Sequence, residues 1–352
     1  MKICYFGIYN SGFGRNKIYI EALKKAGHTV IECRDDSKGL IKYFRLWQKH
    51  RTIKNDYDFV IVGYPGHMVV PWAKLLSKKK VIADALGSLY DAEVNSHSPS
   101  IFRKIKSRLA DWLMVKFGDK ILLESFAQKK YFEEKFGKSS KYEVVYTGVD
   151  DKFEAYQPKT KNNTGKFLVV FRGKLTPESG IMYILKAAEI LKTNTNISFK
   201  IIGSGYLLQE AKKFIKESNL SNVELLERYL SIDELIQNMA DADLLLGQFE
   251  DNPRLNRTIP HKAFEAMALG IPYLTADAPA VKEIVKGGEN AFLVPLARVE
   301  ALANRVELLS HEPKLLQEVA EKARKSFDEI CSSTTLAEKI TRIMLKLQNG
   351  KN

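Results

Sequence analysis

Short apolar runs alternate with amphipathic stretches along the whole chain. In the first half, KICYFGIY, HTVIECR, DFVIVGY, KVIADAL, KILLES and YEVVYTG read as buried strands. Between them, apolar positions at helical spacing predict helices over Ile18–Ala26, Leu40–Lys54, a stretch ending at Leu76, Ile101–Phe117 and Gln128–Phe136. The second half repeats the alternation. FLVVFRG, ISFKIIGSG, VELLER, Ala242–Phe249, YLTAD and AFLVP read as strands. Helices are predicted over Met182–Leu191, up to Glu217, from Ser231, from Pro260, and over Pro279–Val285, Leu296–Leu309, Pro313–Ser326 and Thr334–Leu347. Ser231 and Glu234 have the spacing of a capping box. Strand–helix alternation in two runs predicts an α/β chain of two doubly wound Rossmann-like domains facing across a cleft. A length of 352 residues also exceeds what one core usually supports. The polar stretch Asp150–Gly165 reads as the linker. The expected divisions are 1–160, 161–330, and a closing helix over 331–352 that packs back on the first domain.

The stretch RTIPHKAFEAMALGIP, Arg257–Pro272, organises the second half. Pro260 suits a first helical turn, where its missing N–H would have no partner. Gly270 suits the helix end and Pro272 prevents continuation. A helix therefore opens beside the carboxyl ends of strands, carrying Arg257, His261 and Lys262. Exposed N–H groups and the helix dipole favour an anion there, usually a phosphate. Glu265, deeper in the same helix, has the chemistry to accept two ribose hydroxyls. The plain alternative is a core helix with a stray charge. Two further loops at strand ends, Arg172-Gly173-Lys174 and Gly203-Ser204-Gly205, offer bare backbone and cations suited to a diphosphate.

Charge changes the picture of the first half. The formal net charge is +13, with 29 Lys and Arg against 18 Asp and Glu in residues 1–160, and 26 against 24 thereafter. A basic first domain implies an anionic counterpart. Two basic, aromatic helices, Leu40–Lys54 and Ile101–Phe117, admit two readings. Their apolar residues either cover the sheet beneath a solvated basic face, or dip into an anionic membrane surface. The basic residues match no nucleic-acid reading motif, so no nucleic acid is expected. No apolar run reaches transmembrane length. MKICYFGIYN is too soon interrupted for a signal peptide, and Cys4, Cys33 and Cys331 show no metal-ligand spacing. The expected location is cytoplasmic, peripheral on the cytosolic membrane face if membrane-bound. Gly12 and Gly14 form a tight ligand loop or a plain turn. Asp84, ending a strand, is the foremost candidate site carboxylate of the first half, ahead of Asp91 and His97.

The segments FRGKLTPESGI, FKIIGSG, IPHKAFEAMALGIPYLTADAPAVKEIV and GGENAFLVP span Phe167–Pro295. In order and spacing they resemble a retaining glycosyltransferase of the GT-B fold, of the large family 4 type (glycosyl transferases group 1). The resemblance implies a nucleotide diphosphate sugar donor, UDP- or GDP-linked, bound by the second domain. It implies a glycan or lipid-linked acceptor on the first domain, transfer with retention, and no metal or other cofactor. Glu265 matches the second glutamate of the family's Glu-x7-Glu element, which holds the donor ribose. Gly173 and Lys174 match the Gly-Arg pair whose cation contacts the donor phosphates. Gly203 and Gly205 join the donor set, and Arg257 or Lys262 supplies the missing phosphate charge by inference, not by a match to the family. Lys174 and Asp84 are the candidate catalytic residues, Asp84 to orient the acceptor or sugar, and Gly12 and Gly14 the candidate acceptor-side loop. Two positions depart from the pattern: Arg257 stands at the first glutamate, and Ser179 stands where the family has a second phosphate-binding lysine. A non-catalytic subunit that kept the fold, and a nucleotide-sugar 2-epimerase, remain as alternatives.

Overall fold

The computed structural model describes residues 1–12, 14–95, 100–157, 165–228 and 230–350. The chain forms two compact units, Met1–Asp150 with Cys331–Asn352, and Asp151–Ile330. The division thus falls at the start of the polar stretch read as linker.

The first unit is built on six parallel strands: β1 (Lys2–Gly7), β2 (Thr29–Arg34), β3 (Phe59–Val62), β4 (Lys80–Leu86), β5 (Lys120–Leu123) and β6 (Tyr142–Val144). Their order in the sheet is β2-β1-β3-β4-β5-β6. Helices α1 (Gly14–Lys25), α2 (Ile41–Ile53), α3 (Val70–Leu76), α4 (Leu89–Val94), α5 (Ile101–Phe117) and α6 (Phe126–Phe136) connect them. β3 is buried at every position, as expected for a parallel strand covered on both faces. Val60, Val62, Val81, Ala83, Ile121 and Leu123 of the sheet pack with Leu46 of α2, Ala73 of α3, Met114 of α5 and Phe132 of α6. Direction reverses between β1 and β3, the switch point where such sheets leave a crevice.

The second unit opens with α7 (Asp151–Glu154). It then runs β7 (Phe167–Arg172), α8 (Ile181–Ile190), β8 (Ile197–Ile202), α9 (Leu208–Glu217), β9 (Val223–Leu226), α10 (Ile232–Ala240), β10 (Leu244–Leu246), α11 (His261–Leu269), β11 (Tyr273–Ala276), β12 (Phe292–Val294), α12 (Val299–Ser310) and α13 (Pro313–Ile330). The parallel sheet order is β12-β11-β10-β7-β8-β9, with the switch point between β7 and β10. The last helix, α14 (Ser333–Gln348), returns to the first unit and packs on α1.

Several elements differ from expectation. Pro260 is the N-cap residue of α11, with extended backbone, instead of part of its first turn. The helix expected over Pro279–Val285 is only a single 3-10 turn, Val281–Glu283. On α5 the apolar stripe does not cover the sheet. The helix packs inward through Ala110, Asp111 and Met114, while Ile101, Phe102, Ile105, Leu109 and Trp112 are exposed. The small residue Ala110 and the polar Asp111, which is hydrogen-bonded by Ser88 and two backbone N–H groups, let this helix sit close. Of the two readings open for this stripe, covering the sheet is the one set aside.

Candidate functional site

At the switch point of the second unit, β7 runs directly into Gly173 and β10 into Gly247. The three loops singled out in the sequence converge there. Gly173 N–H donates to Ile202 O at 2.9 Å, Leu175 N–H to Ser204 O at 3.1 Å, and Leu207 N–H to Leu175 O at 2.8 Å. Gly173 and Gly203 have φ of +151° and +149°. A Cβ on Gly203 would lie 1.9 Å from Gly173 O, so only glycine permits this backbone contact. At Gly205 a Cβ would lie 2.6 Å from Leu175 O. The result is a floor of bare main chain.

Helix α11 supplies the side chains. All residues from Lys262 to Leu269 are buried, and the left-handed Gly270 (φ 63°) ends the helix. This burial holds Glu265 rigidly. Pro260 at the N-cap offers no side-chain oxygen to the opening turn, so the helix start presents main-chain N–H groups. Lys262 is buried, with Nζ 4.1 Å from the Phe171 ring centroid and 3.5 Å from Gly247 O. That nitrogen would be 3.2 Å from a Cβ on Gly173, so the ammonium lies against the Gly173 loop. Burial, then the neighbouring Arg172 charge, push its pKa well below the ordinary lysine value.

Glu265 is 2% exposed. Its Oε2 accepts from Arg172 Nε at 2.5 Å, and Arg172 Nη2 contacts Oε1. His261 Nδ1, one helical turn earlier, lies 2.9 Å from Oε1. Burial lowers the Arg172 pKa to about 10. A carboxylate thus neutralises one of two cations packed around bare backbone. Arg172 and His261 as partners of Glu265 were missed in the sequence. The position of Arg172 just before Gly173 was visible, but the pairing spans 93 residues. Gly247 was also missed; a Cβ there would meet Thr275 Oγ1 at 2.2 Å.

The remaining expected donor residues lie nearby in sequence, with less defined contacts. Lys174 is exposed beside Gly173. Arg257 is half-buried in the turn before α11, its N–H donating to Arg254 O at 2.9 Å. Ser179, at the position of the second family lysine, is buried with Oγ donating to Thr176 O at 2.6 Å.

The first unit departs from expectation at Asp84. Its side chain is not presented to solvent: it is buried, and its Oδ1 and Oδ2 accept from Arg15 Nε at 2.9 and 3.0 Å. Arg15 also donates to Val145 O and Thr147 Oγ1 and stacks on Tyr19. This bidentate pair ties α1 to β4 and to the segment after β6 and leaves the carboxylate no face toward a substrate. Gly12 donates its N–H to Asn10 Oδ1 at 2.8 Å, and Gly14 is the first residue of α1. Asp91 is buried in α4. His97 lies outside the described residues.

Comparison with known proteins places these features. Residues 152–326, nearly all of the second unit, match the model of the family glycosyl transferases group 1. An uncharacterized glycosyltransferase of Haemophilus influenzae is 26% identical over 229 residues, covering 61% of this chain and 58% of that protein. An MMP alpha-(1->4)-mannosyltransferase of Mycolicibacterium hassiacum is 26% identical, covering 58% and 48%. The chain therefore aligns with about half the length of these relatives. Among solved structures, Anabaena Alr3699/HepE in complex with UDP superposes with a TM-score of 0.75 at 18% identity, covering 98% and 100% of the two chains. Sucrose-phosphate synthase from Thermosynechococcus elongatus gives 0.77 at 14% identity, covering 99% and 100%. The fold is the two-domain Rossmann-like α/β fold of GT-B glycosyltransferases.

Proposed function

We propose that this chain is a glycosyltransferase that moves a hexosyl group from a UDP- or GDP-linked sugar to a glycan or lipid-linked acceptor, with retention and without a metal. The observation that carries the reading is the cation pair Arg172 and Lys262 against the Gly173 backbone, beside Glu265, at the switch point of the unit that matches glycosyl transferases group 1. The UDP complex of a protein of similar fold supports a nucleotide donor.

The donor diphosphate lies over Gly173 and Gly203, where main-chain N–H groups, the α11 N-terminus and the cations stabilise it. Arg172 turns from Glu265 toward the phosphates. Glu265, released from that pairing, accepts the ribose hydroxyls. Lys262, whose pKa burial lowers, gains a counter-charge as the dianionic group arrives. In the reaction the bond from the sugar C1 to the phosphate oxygen breaks, and a bond from C1 to the acceptor oxygen forms on the same face. The acceptor hydroxyl proton passes to the departing phosphate oxygen. Negative charge grows on the leaving diphosphate, and that is where Arg172, Lys174 and Lys262 act. Arg257, in place of a glutamate, adds positive charge near the helix start. Asp84 has a positioning role through Arg15 and α1, short of contact with substrate.

A thermal-shift screen against UDP, GDP and their sugars tests the donor site, because a ligand of the folded state raises Tm. A selective rise with one diphosphate series is expected. No rise with any of them would contradict the reading.

A further inference from the structure

The first unit carries an outer surface that the donor chemistry does not use. Helices α2, α3 and α5 lie side by side, α3 packing on both others. Together they hold ten Lys and Arg and one acid, Asp111, which is buried. Large apolar side chains stand outward among these cations. On α5, Ile101 and Phe102 are 74% and 75% exposed, followed along the same outward side by Ile105, Leu109 and Trp112. Phe44 of α2 and Leu75 of α3 extend the set.

The cations sit beside the aromatic rings. Lys116 Nζ is 4.5 Å from the Trp112 ring centroid, and the Arg51 guanidinium is 4.8 Å from that of Trp47. Arg103 is held at 3.0 Å by Glu93, while Lys106, Arg108 and Lys116 are exposed. Between α5 and α6 a groove of about 590 Å³ opens, lined by Leu109, Trp112, Tyr131 and Phe136 with Arg108 and Lys135. A soluble helix normally turns such a stripe inward, and an exposed apolar stripe rimmed with cations marks an interaction surface.

We infer that this face of α2, α3 and α5 docks on an anionic phospholipid bilayer, with the α5 stripe entering the headgroup–acyl boundary. Charge complementarity selects that occupant. Apolar side chains leave water while Lys and Arg remain at the level of anionic headgroups. The groove beside Trp112 has room for part of one lipid chain. A second copy of this chain fits poorly, because a two-fold contact would set the same ten cations against themselves. Nucleic acid would engage the cations and leave Ile101, Ile105 and Leu109 without a partner. No helix among the described residues is long and apolar enough to cross a membrane, so the contact is peripheral. The inference does not depend on which reaction the second unit performs.

The test is co-sedimentation of the full chain with vesicles of phosphatidylcholine alone and with about one-third phosphatidylglycerol, at low and high salt. Binding to the anionic vesicles is expected, at least ten-fold stronger than to neutral ones and weakened by salt. I101S/I105S/L109S and K106E/R108E/K116E should each lose at least ten-fold, with unchanged circular dichroism and Tm because these positions are exposed. Trp112 emission should shift to the blue on vesicles and be absent from the response of W112F. Equal binding by the wild type and the serine variant would overturn the inference. So would failure to bind anionic vesicles, a wild-type dimer dispersed by the serine substitutions, or capture of a single-stranded oligonucleotide that depends on the same side chains.

Discussion

Arg172 and Glu265 form an ion pair that joins the end of β7 to the middle of α11, with Arg172 Nε 2.5 Å from Oε2, the carboxylate buried and the guanidinium half-buried. The residue proposed to hold a ribose is therefore already paired with the residue proposed to hold a phosphate. On the proposed reading, donor binding exchanges one ion pair for two ligand contacts. Removing only the carboxylate leaves Arg172 and Lys262 near each other without compensation. Glu265→Ala is expected to destabilise the second unit by about 1–3 kcal/mol, the cost of leaving a partly buried hydrogen-bonding partner unsatisfied. Arg172→Met/Glu265→Gln should cost less than the sum of its parts, as coupled neighbours do. Urea titrations of the four species measure this. Additive losses would contradict the pairing.

Lys262 gives a prediction with opposite signs for stability and binding. Its folded-state pKa lies below the unfolded lysine value of 10.5 because the ammonium is buried. Between the depressed value and 10.5 the unfolded chain binds more protons, so this residue makes stability rise with pH across that window. Lys262→Met removes the effect. It should raise stability near neutral pH by about 0.5–2 kcal/mol, while weakening nucleoside diphosphate binding at least ten-fold. In the wild type, binding above the depressed pKa should take up a proton. Calorimetry in two buffers of different ionisation enthalpy measures it, and an unchanged proton count in Lys262→Met would count against the assignment.

Gly203 tests the bare-backbone floor. A Cβ there would lie 1.9 Å from Gly173 O, at a φ that L side chains rarely adopt. Gly203→Ala should cost about 1–3 kcal/mol by overpacking and reduce nucleotide affinity disproportionately, because the two loops must part. Retention of wild-type affinity would show that the loops do not form the anion site.

In the first unit, Asp84→Ala should destabilise by about 3–5 kcal/mol, since Arg15 would be left buried and unpaired. Arg15→Met/Asp84→Leu should recover most of the loss. A variant at Asp84 that folds normally but has lost turnover would return this residue to the catalytic role its place at the end of β4 suggests.

How far the sequence reached follows from what kind of signal each feature leaves. Buried parallel strands leave near-continuous apolar runs, so KVIADAL was read to its full length as β4. Gly270 announced the end of α11 through its left-handed conformation. The GT-B fold was legible from alternation and from the motifs of Phe167–Pro295. Pairings across long sequence separations leave no such trace. Arg172 meets Glu265 because β7 and α11 adjoin, and Arg15 meets Asp84 because α1 crosses the end of β4. The face of α5 stayed open between two readings for a related reason: periodicity locates a stripe, while Ala110, Asp111 and Met114 are the residues that pack. The Val281–Glu283 turn was too short for any helical period to establish.

The central claim is that Glu265 holds the donor ribose once Arg172 has moved to the diphosphate. The most direct measurement is the affinity of wild type and Glu265→Gln for a nucleoside diphosphate and for its 2′,3′-dideoxy form. Wild type should bind the ribose form at least ten-fold more tightly than the dideoxy form, and Glu265→Gln should bind the two alike. A wild type indifferent to the hydroxyls, or a variant that still distinguishes them as strongly, would contradict the account.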